Sequence, residues 1–193
     1  MCTYNTGTEE KERNIFEVFN KETFLKIKPV FVIDKILFSF VEMDAKTKER
    51  KSCVECYMKI ADAALLARQI TTGRMYQKLE TEKKKGEKFP NAVWRSNLGG
   101  VSEADARMRN LRSDGKAISR HFTIAPGSVK YAVIKGVTCA GYSNEKGLII
   151  PDMKDPEKIT IRVALEDHGE LEKLGIMLEA AVNAYMIQIC SKK

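Results

Sequence analysis

Residues 158–189 constrain the fold more than any other stretch, because the period of their apolar residues changes partway along. From Lys158 to Leu165 the alternation is strict: Ile159, Ile161, Val163 and Leu165 fall on one face, Lys158, Thr160 and Arg162 on the other. That is a strand with one buried face. Asp167 and Glu170 then form an Asp-x-x-Glu cap. Leu171, Leu174, Met177, Leu178, Ala181, Val182, Tyr185, Met186 and Ile189 follow at i, i+3, i+4 and i+7. They predict a helix of ~20 residues with a broad apolar stripe. Such a helix has to bury its stripe, either across a sheet or against a partner subunit.

The first half of the chain shows the same order. The run 30–41, VFVIDKILFSFV, is apolar on both faces and reads as a central strand. The polar stretch Asp44–Arg50 turns the chain, and Ser52–Met58 reads as its antiparallel partner. In KIADAALLARQIT the period lengthens to that of a helix, with Ile60, Ala64, Ala67 and Ile70 on one face and Gly73 as C-cap. The following RMYQKLETEKKKGEK either continues as a second helix or frays into a basic loop. Asn14–Phe19 is a short strand or one helical turn. Strands followed by a helix, twice over, predict an α+β fold of antiparallel sheets in two strand-strand-helix halves. Residues 1–13 are expected to be a flexible arm. Residues 14–193 form a single domain with a basic, irregular insertion at about 74–117.

Charge is segregated along the chain. Residues 74–135 hold 14 Lys/Arg against 6 Asp/Glu, a surplus of 8, whereas the whole protein is only +7. Threaded through that window are Tyr76, Phe89, Trp94, Phe122 and Tyr131, and Trp94 is the sole tryptophan. Clustered cations neutralise phosphates, and rings among them offer unpaired bases a stacking surface. Ser102-Glu103-Ala104-Asp105 predicts a short helix that would carry Arg107, Arg109 and Arg112. Beyond it Ile118, Arg120, Phe122 and Ile124 alternate along a strand, Pro126-Gly127 signals a turn, and 129–139 returns. If Arg120 and Phe122 share a surface with Tyr131 and Lys135, the hairpin presents cations and rings together, with Lys130 on the other face. The ordinary alternative is that the rings are core residues and the cations a solvated face.

Other chemistry is thinly supported. No run approaches the ~20 apolar residues that cross a bilayer, and the polar N-terminus lacks the apolar stretch of a secretory signal, so a cytoplasmic location is expected. The five cysteines are odd in number and scattered, which is not a disulfide framework. Cys53-Val54-Glu55-Cys56 matches C-x-x-C, but on a strand residues three apart face opposite ways and could not easily chelate one ion. His121 and His168 are the only histidines, no nucleotide-binding loop or nucleophile elbow occurs, and Asp34, Glu42 and Asp44 are a loose acidic set. No enzyme activity, metal or cofactor is expected; a metal-dependent nuclease is the catalytic alternative.

The strand-strand-helix order with a basic middle, over roughly residues 14–190, resembles the Whirly and PC4-like single-stranded DNA-binding proteins. Whirly proteins carry a Lys-Gly-Lys-Ala-Ala-Leu motif. Asp114-Gly115-Lys116-Ala117-Ile118-Ser119 shares its Gly-Lys-Ala centre and departs on either side, in the second half of the chain rather than the first. The resemblance implies paired antiparallel sheets, assembly through the helices and Lys116 as a DNA contact. In style the chain also resembles small proteins of bacterial mobile elements. The combined expectation is a single-stranded DNA-binding homo-oligomer, joined through its C-terminal helix and showing little sequence preference. Arg95, Arg107, Arg109, Arg112, Lys116, Arg120, Lys130 and Lys135 would hold phosphates; Trp94, Phe122 and Tyr131 would stack bases. An RNA-binding protein, or a scaffold whose basic face docks an acidic protein, are the rivals.

Overall fold

A computed structural model describes residues 14–96 and 99–191; the arm expected at 1–13 lies outside the described residues. Two antiparallel sheets pack face to face. The first runs in order β1 (Phe16–Phe19), β2 (Thr23–Val30), β3 (Lys35–Met43) and β4 (Arg50–Lys59). The second is built from β5 (Trp94–Arg95), β6 (Gly99–Val101), β7 (Ala117–Pro126), β8 (Ala132–Ser143), β9 (Ile149–Pro151) and β10 (Ile159–Leu165). Its strands lie in order β10-β8-β7-β5, with β6 also on β7 and β9 on the far end of β8. Among the described residues four α-helices complete the fold: α1 (Ile60–Thr71), α2 (Arg74–Lys84), α3 (Glu103–Met108) and α4 (His168–Cys190). The expected α+β class with antiparallel sheets and a long C-terminal helix is what forms.

One expected strand is not continuous. Within the run 30–41, β2 ends at Val30, a 3-10 turn occupies Phe31–Ile33, and β3 begins at Lys35. Asp34 closes that turn in the left-handed conformation at φ 55°. Its carboxylate accepts a hydrogen bond from the Tyr185 hydroxyl on α4. A short polar side chain tolerates that conformation, so Asp34 breaks the strand where its apolar neighbours would extend it.

The core is the space between the sheets. Leu25, Ile27, Ile36, Phe38, Phe40, Val54 and Met58 point into it from the first sheet; Phe122, Ile124, Ile134, Ile161 and Val163 do so from the second. Phe38 and Phe122 stack across the interface at 4.6 Å between ring centroids. Phe40 fits over Gly136, where a Cβ would stand 2.5 Å from its ring. Ala63, Leu66, Ala67 and Ile70 of α1 join the same core together with Leu171, Leu174, Leu178 and Val182 of α4. The two helices meet closely at Gly175, where a Cβ would lie 2.5 Å from Ile70. The open edge of β10 is closed by the β1–β2 turn. Asn20 donates to the Ala164 carbonyl at 3.2 Å and accepts from the Ala164 amide at 2.7 Å, and the Thr23 hydroxyl donates to the Arg162 carbonyl at 2.9 Å. A side-chain amide here takes the place of a neighbouring strand.

The loop between β9 and β10 is fixed by an ion pair. Arg112 meets the buried Asp155 carboxylate in a bidentate contact at 3.0 and 3.2 Å, and also bonds Asp114 at 2.9 and 3.0 Å. Asp155 further accepts from the backbone amides of Ala140 and Glu157. The Asp114 bond holds the guanidinium charged even more firmly than usual, against the cost of burial. Because truncation would leave a buried carboxylate unpaired, Arg112→Ala should destabilise the protein by about 3–5 kcal/mol. A urea denaturation midpoint equal to that of the parent would contradict this structural role.

Candidate nucleic-acid interface

Cross-strand register decides which side chains share a surface. Phe122 pairs with Gly136, whereas Thr123 pairs with Lys135. Partners in a ladder point to the same face, so Phe122 and Lys135 face opposite ways. The mixed cation-and-ring surface expected on this hairpin does not form. Phe122 is 1% exposed inside the sandwich and offers no face to a base. Arg120, on the same side of β7, is half-buried at the margin of the inter-sheet space, near enough to Cys56 for its charge to act on that thiol. Trp94 pairs with Ile124 and packs half-buried against the core, its indole N–H without a hydrogen-bond partner among the described residues.

Three more expected contacts are engaged elsewhere. Arg112 is committed to Asp155 and Asp114, and it lies beyond α3, which ends at Met108. Lys130 is paired with Glu166. Tyr131 is half-buried, parallel to Tyr76 at 6.4 Å, edge-on to His168 at 5.7 Å, and covered by the Lys83 ammonium 4.3 Å from its ring centre. Burial, then the Glu80 charge and Tyr76, push its hydroxyl up to about 12. Arg107, Arg109 and Lys116 are exposed. Arg107 reaches Glu103 only at 3.8 Å and Lys116 reaches Asp114 only at 3.9 Å.

Arg95 and Lys135 have a different setting. Arg95 pairs with Thr123, Thr123 with Lys135, and Lys135 with Arg162. All four therefore lie in one row on the outer face of the second sheet. With strands ~4.8 Å apart, Arg95 and Arg162 span ~14 Å across that row. Arg95 and Arg162 are exposed, Lys135 is half-buried, and Thr123 is buried beneath them. Burial lowers the Lys135 ammonium, and the charges of Arg162, Arg95 and Lys158 lower it further. Among the described residues no carboxylate pairs with Arg95, Lys135 or Arg162. Three cations in one row, with Lys158 beside them and no carboxylate pairing the row among the described residues, favour the approach of an anion.

Sequence reasoning missed Arg162 and Lys158, although the signal was present. The alternation along β10 already set them opposite the core face, but they lie outside the basic window. It also missed the outer face of the first sheet, where Phe19 and Phe24 pair across β1 and β2 with Lys26 over both rings.

The remaining candidates for chemistry do not gather. Cys56 is buried between the sheets, and its thiol is pushed up to about 12, chiefly by burial; Cys53 lies on the opposite face of β4. Glu42 bonds Lys51 and Ser52, and Asp44 caps its own turn. Among the described residues no helix is long and apolar enough to cross a membrane.

No family model and no curated protein matches the chain. Among solved structures it is similar to that of the plant transcriptional regulator PBF-2, with a TM-score of 0.48 and 9% identity over 96% of this chain and 90% of that one.

His121 reports on the cation row. It is buried on the same outer face, and burial, followed by the Arg95 and Lys135 charges, holds its imidazole below the usual 6.5. The unfolded chain takes up this proton more readily than the folded one. The contribution of neutral His121 to stability is therefore complete above about 6.5 and is lost as pH falls from there through the folded value. Urea denaturation should show stability declining below that point, with a shallower decline in His121→Gln. An imidazole resonance titrating at or above 6.5 would refute this placement.

Proposed function

We propose that the protein binds single-stranded nucleic acid, with RNA as the alternative to DNA, showing little sequence preference and catalysing no reaction. The observation that carries this reading is the uncompensated row Arg95, Lys135 and Arg162 with Lys158 beside it. Cations fixed on a sheet contact phosphates, and phosphates carry no sequence information. Arg107, Arg109 and Lys116 are exposed cations that extend the basic surface. Neither phosphate contact nor stacking reads the 2′-hydroxyl, so oligo-U is the proper comparison with oligo-dT. The buried thiols of Cys56 and Cys139, packed as small core residues, fit a reducing compartment such as the cytoplasm.

Anisotropy titrations of oligo-dT over a salt series test the proposal. Affinity should fall linearly in log salt, with a slope of about −0.7 for each phosphate neutralised. Arg95→Gln, Lys135→Gln and Arg162→Gln should each weaken binding evenly across sequences and flatten the slope by about 0.7. Absence of binding to any oligonucleotide at low salt would instead favour an acidic protein partner for the same row.

We further infer that a second copy covers α4. Ile176, Met177, Met186, Ile187 and Ile189 are exposed on this helix, and Leu65 is exposed on α1. Ile176, Ala180, Asn183 and Ile187 follow the 4-3-4 spacing of a helix-packing seam opposite the core stripe. Sedimentation should give a mass above the 21.8 kDa of one chain, reduced to one chain by Ile176→Asp with Ile187→Asp. A parent protein that sediments as a monomer would rule this out.

A further inference from the structure

The geometry points to a second part of the binding surface, a base-stacking platform on the outer face of the first sheet. It rests on the single-strand reading above and assigns it residues that lie outside the basic window of the sequence. Phe19 and Phe24 are cross-strand partners at the tip of the β1–β2 hairpin, with ring centroids 5.4 Å apart and planes tilted by 35°. Phe19 is 60% exposed and Phe24 half-buried. The Lys26 ammonium stands 5.9 Å from one ring and 5.3 Å from the other. The same cross-strand row continues through Val41 and Cys53.

The rest of this face has matching character. Two rows further along the strands, Lys28, Leu37 and Tyr57 lie side by side, and Tyr57 is 41% exposed. Val30, Lys35 and Lys59 form the last row. Lys26, Lys28, Lys35 and Lys59 outnumber the face's acids, Glu17 and Glu55. Rings set among cations suit unpaired bases, which every nucleotide supplies whatever its sequence. An acidic peptide would engage the lysines but leave the phenylalanine faces unused.

The platform and the cation row lie on the outer faces of different sheets and approach each other at one edge of the sandwich. Asn20, next to Phe19, and Thr23, next to Phe24, are the residues that bond β10 at Ala164 and Arg162. The rings therefore stand at the seam where the sandwich edge meets the strand that carries Arg162. A single strand whose phosphates rest on Arg95, Lys135 and Arg162 needs only to bend round that edge for its next bases to reach Phe19 and Phe24. A duplex is too stiff to do so and has no free base faces to offer.

The test uses oligo-dT carrying one 2-aminopurine, whose emission falls when the base stacks. Phe19→Leu and Phe24→Leu keep apolar bulk and remove the aromatic face. Together they should weaken binding by about 5- to 150-fold for each stack lost, leave the salt slope unchanged and abolish the quenching. Affinity and quenching equal to the parent would overturn the platform while leaving the cation row standing, because the parent still binds. Weakening accompanied by a flatter slope would also overturn it, since stacking releases no counter-ions. A parent that binds no oligonucleotide would remove both proposals. Should the double variant fold poorly, Phe19→Leu alone decides between these outcomes, because that ring is mostly in solvent.

Discussion

The structure depends on the contact between Phe122 of the second sheet and Phe38 and Phe40 of the first, with Gly136 opening the space that Phe40 occupies. Sheets pack about 10 Å apart only when their inner side chains interdigitate. A ring over a glycine permits that approach at the centre of the interface. Once the inner faces are committed, every other residue of each strand is turned outward. The cation row on one sheet and the phenylalanine pair on the other are thus consequences of the same packing, read on the reverse sides of the strands that make it.

The alternation of β10 and the helical period of α4 were legible because both are set by burial on one face, and burial leaves a period in the sequence. So were α1 and the capped start of α3, where Ser102 accepts from the Asp105 amide. The turn inside the run 30–41 was not legible. Its apolar residues fit a strand as well as a tight turn, and only the conformation of Asp34 separates the two. Register was the larger obstacle. A strand pair offset by one residue exchanges its faces, and no composition shows whether Lys135 lies opposite Phe122 or Thr123. The basic window was therefore identified correctly as a surplus of charge and wrongly as one face on which cations and rings mix. Its tryptophan and its central phenylalanine pack with the core, and one of its arginines is a structural clamp.

Three fates divide the cations, and the distinction is electrostatic. Arg112 is enclosed by carboxylates and holds a loop; Lys130 has one carboxylate and lies at the surface. Arg95, Lys135 and Arg162 have no carboxylate partner among the described residues, and Lys158 beside them donates to the Met153 carbonyl at 2.8 Å. Burial, then the charges of Arg162, Arg95 and Lys158, make the Lys135 ammonium less willing to be charged. Arrangements of this kind cost stability in the free protein and recover it when an anion arrives. Structural ion pairs show the reverse, being satisfied before any ligand is present. Counting lysines and arginines along a sequence cannot separate these cases, because the deciding carboxylate of Arg112 is 43 residues away at Asp155.

The same reasoning bears on the shape of the ligand. The cation row and the aromatic pair occupy the outer faces of two packed sheets, and Asn20 and Thr23 hold the edge of β10 where those faces come nearest. A rigid rod could lie along one face or the other but could not follow both. A flexible polyanion with exposed bases can turn at the edge, its charge held on one sheet and its rings on the other. Stacking and phosphate contact would then be separate along the strand rather than interleaved on one surface. That separation is what distinguishes this arrangement from the hairpin surface its sequence suggests.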